Sequence, residues 1–344
     1  MTGEGFIPHS RPWVSRGDEE KVVAQLRSGQ LAVGEMVTSF SNDLCAACDL
    51  KKVFLTVSGT ASIYLALKAL KVGAGDEVIL PTYVCESVLN SVQASGATPV
   101  LCDVGPLWNM VPETVDQCFS TRTKAIILVN IFGILAPIEP FRRFKVPIVN
   151  DLCQALDGAL SDKSHVDRGD FVTLSFSATK CLTTGRGGAV AAATPHFEDA
   201  LASAHMAHCQ FFNMTDMQAA LGISQLGRYE EFQGKRQQLV DNYLREIPSA
   251  ATQRFREVQR RSMLFRMPLS NAGPDFQSTA DRFMERRVIV RRGVDALLHR
   301  SLGLTDEGFE NSVRAFEETL SIPLYPSLDG NQAAVVARAC REIL

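Results

Sequence analysis

The sequence predicts an α/β fold with two parts: a large, doubly wound, mostly parallel sheet and a smaller C-terminal α/β domain. Over the first two-thirds of the 344 residues, short apolar segments alternate with helical patterns. These segments carry Val, Ile and Leu on both faces, as strands do when helices cover both sides of a sheet. Beyond about Thr215, longer helical patterns replace this alternation. We therefore expect residues 1–229 to form the large domain, with an N-terminal segment, and residues 230–344 the small one.

The order of elements in the large domain follows from these patterns. Seven segments are predicted to be its strands: 53–57, 77–80, 98–103, 125–130, 146–151, 171–176 and 188–193. Helices are expected at 60–70, 87–95 and 137–144, with Gly73 as the terminator of the first. Sheets of this kind bind ligands beyond the carboxyl ends of their strands.

The C-terminal third predicts a mixed small domain. A long helix is expected from Thr215 to Glu246, with an interruption near Gly234. Short strands are expected at 263–267 and 288–291, and amphipathic helices at 279–287 and 332–344.

The composition excludes several classes of protein. With a net charge of -3 and a pI near 6.1, the chain has no basic surface suited to nucleic acid. No apolar stretch approaches the length of a bilayer span, and the first residues lack a secretory signal. The nine cysteines are odd in number and lie mostly in apolar runs, which favours a reduced, cytoplasmic location. No membrane or nucleic-acid partner is expected.

Two short spacings resemble metal sites, but each stands alone. Cys45 and Cys48 have the spacing of a metal or redox pair, yet they lie in a helical stretch, 36–50, without a second pair. His205 and His208 have no acidic pattern beside them. We therefore expect no metal.

An acid and an amine follow neighbouring strands. Asp151 ends the predicted strand 146–151, and Lys180 lies just past 171–176. Asp151 needs a positive group or a hydrogen-bond donor, because an unpaired buried carboxylate is costly. A pyridinium N–H, an arginine or a helix N-terminus would serve. Pyridoxal 5′-phosphate (PLP) suits the pair, because a lysine forms a Schiff base with its aldehyde and a carboxylate keeps its ring nitrogen protonated.

Residues around this pair favour a cofactor that carries a phosphate. Gly59 and Thr60 follow a strand and open a helix, where free N–H groups and the helix dipole attract an anion. Such residues also cap helices for purely structural reasons. Ser175 adds a hydroxyl at a neighbouring strand end, and Gln154 lies one helical turn after Asp151, where it is expected to point to the same side.

These residues and several further segments resemble the DegT/DnrJ-type aminotransferases, the sugar aminotransferases of the aspartate-aminotransferase fold (fold type I). The resemblance covers nearly the whole chain and is specific as a set, although each motif alone is modest. The matching segments are 7–12, 28–34, 58–61, 75–81, 96–100, 121–126, 151–155, 175–180, 187–188, 214–222 and 320–327.

The resemblance implies roles for the site residues. Lys180 would be the catalytic Schiff-base lysine, Asp151 would bind the pyridine nitrogen, and Gln154 would reach the phenolic oxygen of the ring. The phosphate would be held by Gly59, Thr60 and Ser175. The enzyme would be a homodimer with its sites at the subunit interface.

The resemblance also implies the reaction. Glutamate or glutamine would donate an amino group. The acceptor would be a nucleotide-linked keto-sugar or a keto-cyclitol. Such products belong to amino-sugar, surface-polysaccharide or antibiotic biosynthesis.

Two positions depart from the pattern of the family. Cys85 occupies the place where an aromatic residue often covers the cofactor ring, so Cys85 is expected at the cofactor, and Tyr83 is a candidate for stacking or for substrate contact. Phe211 stands where the family carries an asparagine that reaches the phosphate of the partner subunit. That contact between subunits is therefore either absent or made by Asn213 from a shifted loop.

Two other functions compete with amino transfer. Some relatives are PLP-dependent sugar dehydratases, but these carry histidine in place of the lysine, so Lys180 argues against that activity. A non-catalytic protein that binds PLP or a sugar nucleotide is the other alternative. Arg186, Arg291 and Arg292 are candidates for contact with a substrate carboxylate or diphosphate, or are simply surface arginines.

Overall fold

A mostly parallel sheet forms the centre of the large part of the protein. The computed structural model describes residues 5–160, 167–271, 273 and 275–344. Within these residues the sheet has seven strands: β1 (Phe54–Thr56), β2 (Glu77–Pro81), β3 (Thr98–Cys102), β4 (Thr123–Val129), β5 (Ile148–Asp151), β6 (Phe171–Ser175) and β7 (Gly188–Ala192).

The topology of this sheet confirms the predicted fold class. The strand order is β1-β7-β6-β5-β4-β2-β3. Neighbours from β6 to β3 run parallel, and β7 alone is antiparallel to the strands beside it, β6 and β1. All seven predicted strands are present, with ends within two residues of those expected.

Helices cover both faces of the sheet. Those of the large part are α1 (Arg16–Ser28), α2 (Glu35–Cys48), α3 (Gly59–Ala69), α4 (Glu86–Ser95), α5 (Pro112–Asp116), α6 (Asp157–Leu160), α7 (Glu198–Phe212) and α8 (Asp216–Leu226). Successive side chains of one strand enter different cores: Ile127 packs with one apolar cluster, and Ile126 and Leu128 pack with another. Burial on both faces explains the near-continuous apolar strands of the sequence.

Two helical predictions in the large part need correction. Residues Glu139–Phe144 form a 3-10 helix rather than an α-helix. The end of α3 does not depend on Gly73, because the chain leaves the helix at Leu70 and turns at Lys71, whose φ is 56°.

The C-terminal part has its own small sheet. Its elements are α9 (Tyr229–Glu246), α10 (Ser249–Val258), β8 (Met267–Ser270), α11 (Phe276–Glu285), β9 (Arg291–Arg292), α12 (Leu298–Ser301), α13 (Glu310–Glu318), β10 (Thr319–Ile322) and α14 (Gly330–Ile343). The described strands follow the order β8-β10-β9, and both pairings are antiparallel. None of the helices in the described ranges is long and apolar enough to cross a membrane.

Several predictions for this part are wrong in position. The break in the long helix falls at Gly227 and Arg228, and Gly234 lies inside α9. The strand predicted at 263–267 begins only at Met267, after Leu264 takes a φ of 54°. The strand predicted at 288–291 is reduced to Arg291–Arg292.

The two parts share one continuous core, to which the N-terminal segment also belongs. Ile7 forms a parallel bridge with Val288, which ties the start of the chain to the C-terminal part. Tyr83 and Phe132 of the large part lie in the same apolar cluster as Phe255 and other C-terminal residues. The domain boundary at residue 229, where α9 begins, stays a prediction.

The contact at Gly293 gives a test of this shared core. A Cβ on Gly293 would meet the hydroxyl of Tyr83 and would lie 2.5 Å from Cζ of Phe132. We expect Gly293→Ala to lower the free energy of unfolding by about 1–3 kcal/mol, because the added Cβ would force neighbouring side chains of the packed core into strained positions. Urea unfolding of the two proteins measures the difference.

Gly330→Ala is the matched control for that substitution. Gly330 opens α14 with no atom within 4 Å of the added Cβ. Its replacement should leave stability unchanged or raise it by about 0.4–1 kcal/mol. If both variants lose the same free energy of unfolding, the tight contact at Gly293 is contradicted.

Candidate active site

A cavity of about 550 Å³ lies beyond the carboxyl ends of the parallel strands. Its wall includes residues that follow β1, β2, β5 and β6 directly. Parallel strands end on the same edge of a sheet, so segments distant in sequence meet there. The cavity brings together most of the predicted site residues, namely Gly59, Thr60, Cys85, Asp151, Ser175, Lys180 and Arg186.

One end of the cavity is the N-terminus of α3. The hydroxyl of Ser58 accepts a hydrogen bond from the N–H of Ala61 at 3.2 Å, which caps the helix. Gly59 and Thr60, in the first turn, line the cavity with Ser175 from the end of β6. Free N–H groups, the helix dipole and hydroxyls make this end suitable for a phosphate.

Gly59 lies in a narrow space. A Cβ at Gly59 would lie 2.7 Å from Sγ of Cys153 and 3.0 Å from Cβ of Ser175. A larger residue would therefore push α3 away from β5 and β6. The glycine keeps the helix N-terminus close to the strand ends that carry the other site residues.

Asp151, at the end of β5, lines the same cavity and is 4% exposed. Its Oδ1 accepts hydrogen bonds from the N–H of Cys153 at 2.9 Å and from the hydroxyl of Thr173 at 3.4 Å. Burial raises the pKa of Asp151, and these hydrogen bonds with the charge of Lys180 oppose that rise. A positive group bound in the cavity would stabilise the ionised carboxylate.

Lys180 lies in the turn after β6. Its N–H donates to the carbonyl of Ser177 at 2.9 Å, and Nζ lies 4.9 Å from the ring centroid of Phe265. Phe265 belongs to the C-terminal part, so that part also contributes to the surroundings of the amine. The lysine and Asp151 line one cavity from two adjacent strands, as the sequence predicted.

Tyr83 and Gln154 are not among the residues that line the cavity. Tyr83 is 1% exposed in the shared core, and its hydroxyl donates to the carbonyl of Ala315 at 3.4 Å, so stacking on a ligand and substrate contact by Tyr83 are not supported. Oε1 of Gln154 accepts from the N–H of Phe132 at 2.8 Å. A contact from Gln154 to a ring oxygen stays a prediction.

Cys85 and Phe211 are the two positions at which the sequence departs from the pattern of the family. Cys85 is exposed at the start of α4 and lines the cavity, as expected for a residue at the cofactor. Phe211, on α7, is 73% exposed. The next residue, Phe212, accepts a hydrogen bond from the N–H of Val57, one residue before the cap of α3.

Sequence reasoning missed some residues of the cavity wall, above all Cys153 and Ser177. Cys153 lies two residues after Asp151 in the same turn, and this spacing was the signal that could have indicated it. Burial and the neighbouring charge of Asp151 raise the pKa of the Cys153 thiol, so it is neutral. Among the described residues, no group of three or more His, Cys, Asp or Glu side chains has the arrangement of a metal site.

Comparison with known proteins agrees with this geometry. Residues 14–341 match the profile of the DegT/DnrJ/EryC1/StrS aminotransferase family.

The chain belongs to this family.

The chain is similar to individual members along its length. The spore coat polysaccharide biosynthesis protein SpsC of Bacillus subtilis is 27% identical, with 98% of this chain and 97% of that protein covered. GDP-perosamine synthase of Caulobacter vibrioides is 30% identical over 63% of each chain. The PLP form of Spr1654 from Streptococcus pneumoniae is 22% identical and superposes with a TM-score of 0.87 over 98% of both chains.

As a member of the DegT/DnrJ/EryC1/StrS family, the protein is a PLP-dependent aminotransferase, and its residues fit the cofactor. The cavity has a helix end suited to an anion, a buried carboxylate without a salt bridge in the described residues, and the amine of Lys180. When bound, PLP supplies an aldehyde for the amine and a ring that accepts electrons. Lys180 would hold the aldehyde carbon, Asp151 the ring nitrogen, and Ser175 with the α3 N-terminus the phosphate.

The space around Gly59 gives a test of this cofactor site. We expect Gly59→Ala to weaken PLP binding at least about tenfold, because its Cβ would displace the first turn of α3 from Cys153 and Ser175. Titration of the cofactor-free protein with PLP, followed by absorbance, measures the dissociation constant.

Gly73→Ala serves as the control, since an added Cβ there has no atom within 4 Å. Its PLP affinity should equal that of the wild type. If Gly59→Ala binds PLP as tightly as Gly73→Ala, the phosphate is held elsewhere.

Proposed function

We propose that this aminotransferase moves an amino group from glutamate or glutamine to the carbonyl of a keto-sugar. The main support for the proposal is that Lys180, Asp151 and the N-terminus of α3 line the same cavity. SpsC and GDP-perosamine synthase, named for polysaccharide biosynthesis and an amino-sugar product, support a sugar acceptor. A nucleotide-linked keto-sugar fits both names, and a keto-cyclitol is the other acceptor to test.

The residues of the chain have separate tasks in this reaction. Lys180 would hold the cofactor through its amine, and the same amine, when free, would move a proton between substrate and cofactor. Asp151 would hold the ring nitrogen and, as a carboxylate, favour its protonated form. Cys153, whose thiol is neutral, lines the same cavity and adds no charge beside Asp151.

Lys180 also favours one of the two PLP-dependent reactions over the other. A sugar dehydratase of this family would carry histidine at this position, whereas lysine favours transfer of nitrogen. The two outcomes differ in product: dehydration removes a hydroxyl without adding nitrogen. A panel of keto-sugar nucleotides and cyclitol ketones, read by mass for exchange of oxygen by nitrogen, tests the acceptor.

The surface of α7 supports a homodimer. Met206 and Phe211 are 77% and 73% exposed, and exposed apolar side chains of this size often mark subunit contacts. Phe212, adjacent to Phe211, holds Val57 just before the phosphate-binding turn. A second copy seated on α7 would therefore lie beside the cofactor phosphate, with an apolar contact where the family has an asparagine.

Removal of the amine tests the central assignment. We expect Lys180→Ala to reduce amino transfer by at least about 10³-fold, because both the cofactor linkage and the proton carrier are lost. Borohydride should no longer fix PLP to the protein. Lys21→Ala, an exposed residue of α1, should leave both measurements unchanged. Near-normal turnover in Lys180→Ala would disprove the proposed chemistry.

The subunit contact is tested on Phe211. We expect Phe211→Asp to raise the dimer dissociation constant at least about tenfold, because a charge would be buried against an apolar surface. Sedimentation equilibrium measures the association. Leu304→Asp changes another exposed apolar side chain, 52% exposed, and should leave the dimer intact. An unchanged dimer in both variants would place the interface elsewhere.

A further inference from the structure

An arginine lies at the end of the cofactor cavity that is suited to a phosphate. Arg186 lines the cavity together with Gly59 and Thr60, which belong to the first turn of α3. It lies two residues before Gly188, the first residue of β7. Two residues of chain span at most about 7 Å, so the backbone of Arg186 stays close to the atoms that Gly188 contacts.

Gly188 contacts the peptide that opens α3. In the sheet it pairs with Thr56 of β1 on one side and with Ser175 of β6 on the other. A Cβ on Gly188 would lie 2.5 Å from the carbonyl carbon of Ser58 and 2.7 Å from the amide nitrogen of Gly59. The chain that carries Arg186 therefore enters β7 directly beside the free N–H groups of the helix end.

The backbone at Arg186 is fixed, whereas its side chain is exposed. The carbonyl of Arg186 accepts hydrogen bonds from Nε2 of Gln218 at 2.7 Å and from the hydroxyl of Thr184 at 2.9 Å. Gly185, with a φ of 76°, makes the turn that precedes it. Binding of an anion would then restrict only the rotamers of the side chain, which keeps the entropic cost of binding small.

The charges of the cavity wall favour an anion at Arg186. Lys180 and Arg186 are the basic side chains among the lining residues, and Asp151 is the acidic one. In the described part of the chain no carboxylate oxygen lies within 4.0 Å of the guanidinium of Arg186, whereas Arg122 pairs with Glu77. A phosphate ester carries nearly two negative charges at neutral pH, and a helix N-terminus offsets only about half of one. The amine of Lys180 is needed at the aldehyde.

We propose that Arg186 binds the phosphate of PLP from within the same subunit and supplies the positive charge that the N-terminus of α3 lacks. A guanidinium suits this task because two of its N–H groups can bond two phosphate oxygens at once. This role concerns the cofactor rather than the amino donor or the acceptor, so it goes beyond the proposed amino transfer and does not depend on it.

A comparison of PLP with pyridoxal tests the contact. Both molecules offer the same aldehyde and ring, but pyridoxal lacks the phosphate. We expect Arg186→Gln to raise the dissociation constant of the cofactor-free protein for PLP about 10- to 100-fold and that for pyridoxal less than about twofold. Arg186→Lys should recover part of the loss, because lysine keeps the charge but not the paired N–H groups. Absorbance titration measures each constant.

Arg260→Gln is the matched control, because Arg260 is also exposed and does not line the cavity. It should bind PLP and pyridoxal as the wild type does. The Tm of cofactor-free Arg186→Gln should equal that of the wild type, since the replaced side chain is exposed. Equal losses of affinity for PLP and pyridoxal, or no loss for either, would overturn the proposal.

Phosphorus NMR of the bound cofactor gives a second readout that needs no turnover. A nearby guanidinium favours the doubly charged phosphate and therefore lowers its second pKa, which is about 6 in a free phosphate ester. We expect the midpoint of the phosphate titration, followed by chemical shift at saturating PLP, to lie at least about one pH unit higher in Arg186→Gln than in the wild type. Identical titration curves would contradict the contact.

A diphosphate on the acceptor is the competing anion for Arg186. Uridine diphosphate should therefore bind the PLP-loaded wild type and Arg186→Gln equally in calorimetry. A loss confined to uridine diphosphate, with PLP affinity unchanged, would assign Arg186 to the acceptor and overturn the proposal. No amino donor enters any of these measurements. If the wild type transfers no nitrogen while PLP binding still depends on Arg186, the proposed amino transfer fails and the phosphate contact stands.

Discussion

The burial of one carboxylate constrains the whole site. Asp151 ends a central strand, with parallel neighbours on both sides, and water reaches little of it. Two hydrogen bonds to a single oxygen leave its ionised form in need of a positive partner. The cavity in front of it has room for such a partner, and the remaining features would hold that molecule in place: an amine in the turn after β6, and a helix N-terminus after β1.

The C-terminal part packs beside this cavity, whose lining residues all lie between positions 58 and 187. Phe265, from the C-terminal part, lies over the amine of Lys180, and Gly293 of the same part packs against Tyr83, two residues before Cys85. The N-terminal segment reaches the small sheet through Ile7 and His9. The wall of the cavity therefore depends on the large sheet, whereas the surroundings of the Lys180 amine depend also on how the C-terminal part packs beside it.

The sequence predicted the strands of the large sheet correctly, because burial on both faces determines their pattern of apolar residues. The strands of the large sheet are covered on both faces, so their apolar runs stand out from the polar turns between them. Prediction failed in the small domain, where β10, the middle strand, was not predicted because Thr319 and Ser321 interrupt its apolar pattern. The left-handed turn at Leu264 delays β8 to Met267, and no local residue preference indicates that turn.

The amino-acid sequence by itself determined the fold class, the cofactor and the pair formed by Lys180 and Asp151, because strand ends and glycine turns are local features. Tertiary structure alone decided which other side chains reach the cavity. It buried Tyr83 in the shared core, placed Cys153 against Gly59, and brought Phe265 to the amine of Lys180. Those outcomes depend on contacts between residues far apart in the chain, and no spacing in the sequence encodes such distances.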